Sequence, residues 1–369
     1  MAHPTSSQDI LEVEGSFEDV WLAMLERGWT DGLPVIPPTE DRVQRMVAAS
    51  GRSAHDVIAV VPPARGVATV EKIAVNAVMA GCDPSYIPVV IAGVDAMCDP
   101  KFNLGGLNPS TNPVGVALIV NGPIRRKIGI NCGVGCLGPG WRANATIGRA
   151  IRLILINLGG GVPGKGDMAT HGFPGKYSFC FGENEEDNPW DPLHVERGFP
   201  RDVSTVTAAS INGTVNNQMG EAVTHDVRRK LLILADAMTQ MGSNNLRLGC
   251  IGEVFITVSI GFAVKAASAG MSKADVKKFL YDHCGYPADE VFNVLEEKFR
   301  FEGTYPDGII RPVRQPDHIV VVVAGGALSE GGTEVTHKGV YMPTFGDSWS
   351  VTKPVLDIRV SDQGHPGSS

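Results

Sequence analysis

The sequence has no apolar run long enough to cross a bilayer as a helix. That takes roughly 18 residues or more, and the longest stretches here, such as Ile319–Ala324, have strand length. No membrane association is expected. Clustered positive charge is also scarce. The formal net charge is −8, and the densest basic runs, Arg125-Arg126-Lys127 and Arg228-Arg229-Lys230, are three residues each. A nucleic-acid partner is not expected, because phosphate binding needs a concentrated basic surface. The first residues show no basic stretch followed by an apolar core, so no secretory leader is expected. Cysteine is sparse and odd in number, seven in 369 residues. This reads as reduced thiols in a cytoplasmic protein rather than a disulfide framework.

Several chemical signatures are missing too. There is no Cys-x-x-Cys, no second cysteine pair at zinc spacing and no His-Glu-x-x-His. No Gly-Lys-Ser/Thr occurs, so nucleotide binding of the Walker type is not expected. No motif marks a cofactor, and a divalent metal is left open.

Glycine (44) and proline (25) are plentiful and punctuate short apolar runs. That pattern suits many strand–loop–helix transitions. The 3.6-residue periodicity predicts helices over Ser16–Arg27, Glu40–Ser50, Val70–Ala80, Trp141–Asn157, Asp226–Met241, Glu253–Ala269 and Lys273–His283. Strands are predicted over Val57–Val61, Val89–Val94, Val114–Val120, Lys176–Phe181, Thr205–Ser210 and His318–Val323. Their interleaving predicts an α/β fold of mixed or parallel sheets with flanking helices. Thr69, Ser272 and Thr224 stand where helix caps belong, and Ser272 with Asp275 spells a capping box. Length predicts two subdomains, 1–186 and 187–360, followed by a polar, disordered tail over 361–369. Phe181–Pro200 is either a boundary or a structured loop over a site; Trp190 and His194 favour the loop. No clean repeat is legible.

The most informative stretch is 131–161. Glycines 133, 135, 138 and 140 lead into an amphipathic helix. A glycine-rich loop feeding a helix offers free N–H groups at the positive end of the helix dipole, which suits phosphate or carboxylate. Gly138, Gly140, Arg142, Asn144 and Arg149 are therefore candidate substrate-binding residues; the competing reading is a tight turn with arginines in solvent. Cys136, perhaps paired with Cys132, is a candidate thiol, since a helix N-terminus favours thiolate. Over 164–186, His171, Lys176 and Glu183 are candidate acid/base groups: histidine has a suitable native pKa, and burial can bring lysine or glutamate there. The amide-rich loops at 212–217 and 242–245 nominate Asn244 as a substrate contact, against a reading as plain turns. His337 and Lys338 lie in a loop after a glycine-ended strand, where α/β sheets place ligands. The turn-rich Trp29–Pro38 either covers a site or is structural.

At Trp29–Pro38, Val70–Cys82 (VEKIAVNAVMAGC), Gly138–Arg149 (GPGWRANATIGR) and Gly175–Glu186 (GKYSFCFGENEE), the chain resembles a bacterial family labelled UGSC-like (seleno)proteins. The resemblance runs over most of the chain. The family label implies a thiol or selenol in U/C-Gly-Ser-Cys, and this sequence has no Cys-Gly-Ser-Cys. The resemblance implies a bacterial enzyme without fixing substrate or reaction.

Taken together, the sequence is read as a lyase- or hydratase-type enzyme, forming a homo-oligomer and acting on a small carboxylate-bearing substrate. Two alternatives stand beside it: a thiol-dependent enzyme or oxidoreductase using Cys136 and Cys132, and a non-catalytic subunit of a two-component enzyme.

Overall fold

The computed structural model describes residues 12–247, 251–296, 305–326 and 337–356. The expected tail over 361–369 lies outside them. Two helices, α1 (Phe17–Glu26) and α2 (Glu40–Ser50), open the chain. An antiparallel ribbon follows, β1 (Val57–Val61) with β2 (Gly66–Thr69), then α3 (Val70–Ala80). Thr69 caps α3 by accepting the Lys72 N–H, as its position predicts.

The rest is built twice. The first run is α4 (Ile87–Met97), α5 (Leu104–Leu107), β3 (Gly115–Asn121), α6 (Ile124–Lys127), α7 (Arg142–Asn157), β4 (Cys180–Gly182), α8 (Leu193–Glu196), β5 (Thr205–Ile211) and β6 (Val215–Gln218). The second is α9 (Val227–Met238), α10 (Asn244–Arg247), β7 (Val254–Val258), α11 (Ile260–Ser268), α12 (Lys273–His283), the small insertion β8 (Tyr286–Pro287), α13 (Ala288–Val294) and β9 (Ile309–Ile310), then β10 (Ile319–Val323), β11 (Lys338–Met342) and β12 (Val351–Pro354). Apart from α8 and the insertion, the order of elements is the same.

The strand ladders repeat in register. β3 lies between β4, which is parallel to it, and β5, which is antiparallel. β7 lies in the same way between β10 and β11. Overlaying the ladders puts Leu118 on Ile256, Cys180 on Val321 and Ala208 on Tyr341. The fourth strand of each sheet is exchanged: β6 leaves the first run to pair with β11, and β12 returns to pair with β5. Ile211 and Thr344 occupy the same place in the two repeats and bridge each other in antiparallel fashion. A pseudo-twofold axis therefore passes between them. The expected subdomain limit at 186 does not separate the sheets, since β5 and β12 both belong to the first one.

Strand alternation turns this pairing into four layers. Leu118, Val120, Val206 and Ala208 face α4 and α7 and share a core with α3 behind them. Ile256, Val258, Val321 and Tyr341 share a core with the residues of α9, α11 and α12. Ala117, Ile119, Phe181, Ala209, Phe255, Val320, Val322 and Met342 fill the space between the sheets. The result is a helix–sheet–sheet–helix sandwich, within the expected mixed α/β class.

Three expected elements differ. Val89–Val94 is not a strand but the middle of α4. The helix is buried nearly all round, against β5 and β12 on one side and α2, α3 and α7 on others. A continuous apolar run cannot tell such a helix from a strand. Glu253–Ala269 is not one helix: Val254–Val258 is a strand buried on both faces, and Ser259 begins α11. Lys176–Phe181 is mostly a turn, and only its last two residues enter β4. At α9 the side-chain cap is Asp226, which accepts two backbone N–H groups, while Thr224 accepts the N–H of Asp226 itself. Ser272 and Asp275 form the expected capping box.

Phe255 tests the middle layer. Phe255→Ala empties a fully buried site between the sheets. It is expected to cost about 3–5 kcal/mol, read as a fall in the denaturant midpoint with the slope unchanged.

Candidate functional site

The expected candidates fall into three separate places. The first is the glycine loop before α7. Asn144 is buried beneath it: its carboxamide oxygen accepts the Asn131 N–H, and its amide donates to the carbonyls of Asn131 and Cys136. Arg142 donates to the Gly81 carbonyl at the end of α3. Arg149 grips Asp31 with two hydrogen bonds of 2.8 Å and donates to the carbonyls of Leu33 and Pro34. These side chains fasten the loop and the Trp29–Pro38 segment to α7. Gly138 and Gly140 are exposed, and the N–H groups of Cys136 and Gly138 bond within the loop. Residues 133–138 do spell Gly-x-Gly-x-x-Gly, yet β3 ends twelve residues earlier, so the strand–turn–helix of a dinucleotide site is absent. Cys136 is buried, and burial pushes its thiol up to about 12. Burial likewise raises the Cys132 thiol, outweighing the Arg125 guanidinium 3.7 Å away. Neither has the setting of a thiolate.

The second place is the carboxyl end of β3 and β4, where the repeats meet. Glu183 is fully buried there. It accepts hydrogen bonds from Asn121 (2.8 Å), the Leu193 N–H (2.7 Å), Asn188 (3.3 Å) and the Val323 N–H (3.4 Å), with the Lys273 ammonium at 3.9 Å. Burial still pushes its carboxyl above the ordinary range. Beside it, Arg125 binds Glu186 through two nitrogens and pairs with Glu185 at 3.1 Å. His194 is buried, and burial lowers its pKa, so the ring is held neutral; Nε2 donates to the Arg201 carbonyl at 3.3 Å. Phe181–Pro200 is thus a structured, pinned loop. Glu183 reads as a clasp between repeats rather than as a base facing a cleft. Asn244 sits half-buried at the start of α10, and His337 is buried with Nδ1 2.8 Å from Glu221.

The third place is a cleft at the opposite end of β3. It is lined by Leu104, Leu107, Asn108, Val114, Gly115, Val116, Gly148, Ile151, Arg152, Leu155, Gly175 and Lys176, and spans about 400 Å³ counting the space open to solvent. Behind it stands Asp167, whose side chain is only 4% exposed. Asp167 accepts from Lys176 at 2.8 Å and 2.6 Å, from Arg152 at 3.2 Å and from the Ala169 N–H. The turn that presents Asp167 is tight: a Cβ at Gly166 would lie 2.1 Å from the Gly160 carbonyl oxygen, so only glycine fits. α7 reaches the cleft because Gly148 lets it lie against Ser178 and Phe179, where a Cβ would come within 2.5 Å. Two cations on one carboxylate leave the cluster with one net positive charge. Burial lowers the Lys176 pKa below the usual lysine value, although Asp167 pulls it up.

Lys176 and Glu183 therefore cannot act on one small substrate. They sit at opposite ends of β3, about 20 Å apart along its seven residues. His171 is exposed on the segment leading to Lys176 and does not line the cleft. Arg152 and Asn108 carry no sequence signal except a charge beside the buried Ile147–Ile151–Ile154 stripe of α7. Among the described residues, no three His, Cys, Asp or Glu side chains converge as a metal-binding group, and no helix is long and apolar enough to cross a membrane.

No family model matches this chain, and no curated protein matches it closely enough to suggest a relative.

Removing the clasp leaves the Asn121 amide and the Leu193 N–H without their buried acceptor. Glu183→Ala is expected to lower stability by about 3–5 kcal/mol, measured by chemical denaturation. The lowered pKa of Lys176 has a direct readout: its amine should react with acetic anhydride at a lower pH than the exposed lysines do. Peptide mapping across a pH series would show that midpoint below 10.5 in the folded chain and back at 10.5 in denaturant.

Proposed function

We propose that the chain is a small-molecule enzyme of the lyase or hydratase type, working in the cleft at Lys176 on a substrate that carries one carboxylate and a short apolar body. The observation that carries this reading is the pair Arg152 and Lys176, held together on buried Asp167 at the wall of a cleft of mixed polar and apolar lining. One net positive charge is neutralised by one incoming carboxylate. Arg152 offers that carboxylate a planar donor fork. The apolar wall from Leu104, Leu107, Val114, Ile151 and Leu155 accepts the carbon body and limits water. Lys176, with its proton affinity lowered by burial, moves a proton to or from the substrate, and Asp167 holds the ammonium in place.

The thiol-dependent alternative finds no support in the buried, neutral Cys136. Reduced thiols at Cys82, Cys98, Cys132, Cys136 and Cys180 support a reducing, cytoplasmic setting. Exposed Val134, Leu137 and Trp141 on the glycine loop, with Tyr177 beyond it, support self-association into a homo-oligomer. Membership of the UGSC-like family is part of the same proposal and rests on the four quoted segments.

A panel of short carboxylic acids, screened by calorimetry and thermal shift, tests the cleft. Binding is expected for the shortest acids of the panel, and Arg152→Met is expected to weaken it about ten-fold or more. Equal binding to the wild type and Arg152→Met would remove the reading.

A further inference from the structure

We propose that Lys176 acts as an amine nucleophile and forms an imine with a small acid that also carries an aldehyde or ketone carbonyl. This rests on the reading of the cleft above and narrows its substrate class to carbonyl acids.

The polar side chains lining the cleft are Asn108, Arg152 and Lys176. An amide and a guanidinium neither attack carbon nor exchange protons near neutral pH. The amine of Lys176 is the one lining group that can form a bond to substrate. Its placement suits that task. Nζ is held against both oxygens of Asp167, at 2.8 Å and 2.6 Å, which leaves its remaining valence for the cleft. Asp167 lies within reach of the proton that must leave the ammonium. Arg152 occupies the same carboxylate at 3.2 Å. A second cation beside a buried amine disfavours the ammonium, which is a known way to activate a lysine.

The step balances without any redox partner. The ammonium gives one proton to Asp167, and the freed lone pair adds to the carbonyl carbon, forming the C–N bond. The carbonyl oxygen takes a second proton from the amine and the one held by Asp167 and leaves as water, and the nitrogen closes a protonated C=N bond. One molecule of water is released. The protonated imine withdraws electrons from the neighbouring carbon, which eases proton loss or elimination there. Arg152 meanwhile holds the substrate carboxylate, and Leu104, Ile151 and Leu155 shelter the imine from water.

The test uses the full chain with glyoxylate, pyruvate or acetoacetate in the presence of sodium cyanoborohydride, followed by intact mass and peptide mapping. The expected result is a single adduct of reduced-imine mass on Lys176. It should form faster there than on exposed lysines, since burial leaves more of this amine unprotonated. Lys176→Arg, which keeps a cation on Asp167, should abolish it. Should that variant fail to fold, the peptide map of the wild type decides alone. Adducts spread over surface lysines in proportion to exposure, or none on Lys176, overturn the proposal. Acids without a carbonyl separate the two readings: if they still bind in an Arg152-dependent way, only the imine falls, and if they do not bind, the reading of the cleft falls too.

Discussion

At the line where the two repeats meet, a single carboxylate is taken entirely out of water. Glu183 directly follows β4 of the first repeat and accepts the backbone N–H of Val323, which ends β10 of the second. It also receives Asn121 from the end of β3 and Leu193 from the loop that follows. A buried carboxylate is costly unless its oxygens are matched, and here matching them requires both sheets to be in place. The same residue therefore enforces the approach of the two parallel edges. Lys273 and the Arg125–Glu185–Glu186 group surround it with charge that is paired rather than free. The carboxyl ends of the parallel strands, where α/β folds commonly bind ligands, are here filled with protein.

That filling has a consequence for chemistry. With one end of β3 closed by the clasp, the open space lies at its other end, between α7 and the segment from Leu104 to Val116. α7 contributes to both the core and the cleft. Its apolar face, Ile147, Ile151 and Ile154, is core, and Arg152 reaches Asp167 from beside that face. Arg149, one turn earlier, is fully engaged by Asp31 and two carbonyls. Two arginines three residues apart on one helix thus have different tasks, and only their partners distinguish them.

The exchange of β6 and β12 ties the halves together in a second way. Each sheet is completed by the strand that its own repeat does not keep, so neither half has a full sheet alone. The edge strands of an incomplete sheet would present unpaired backbone. The repeat itself is carried by direction and register, not by residue identity: Cys180 stands where Val321 does, and Ala208 where Tyr341 does. Identity-based inspection finds nothing there, because a buried strand position asks only for an apolar side chain of tolerable size.

Local chemistry was legible in the sequence. The bounds of α2, α3, α12 and β1 follow from periodicity and punctuation, and the Thr69 and Ser272 caps from one polar residue before an apolar run. Lys176 was legible as a candidate, since it stands among the titratable residues over 164–186 and burial can bring a lysine's pKa toward working pH. What the sequence could not give were the facts that depend on partners distant in the chain. Val89–Val94 reads equally as strand or helix until the layers around it are known. Arg142, Asn144 and Arg149 read as anion-binding until their oxygen partners are seen, and Glu183 reads as a base until its donors are counted. A side chain's function is set by what desolvates it and what it is paired with, and both are supplied by residues tens to hundreds of positions away. The tertiary structure alone decided that Lys176 shares a cleft with Arg152, and that Glu183 closes a joint.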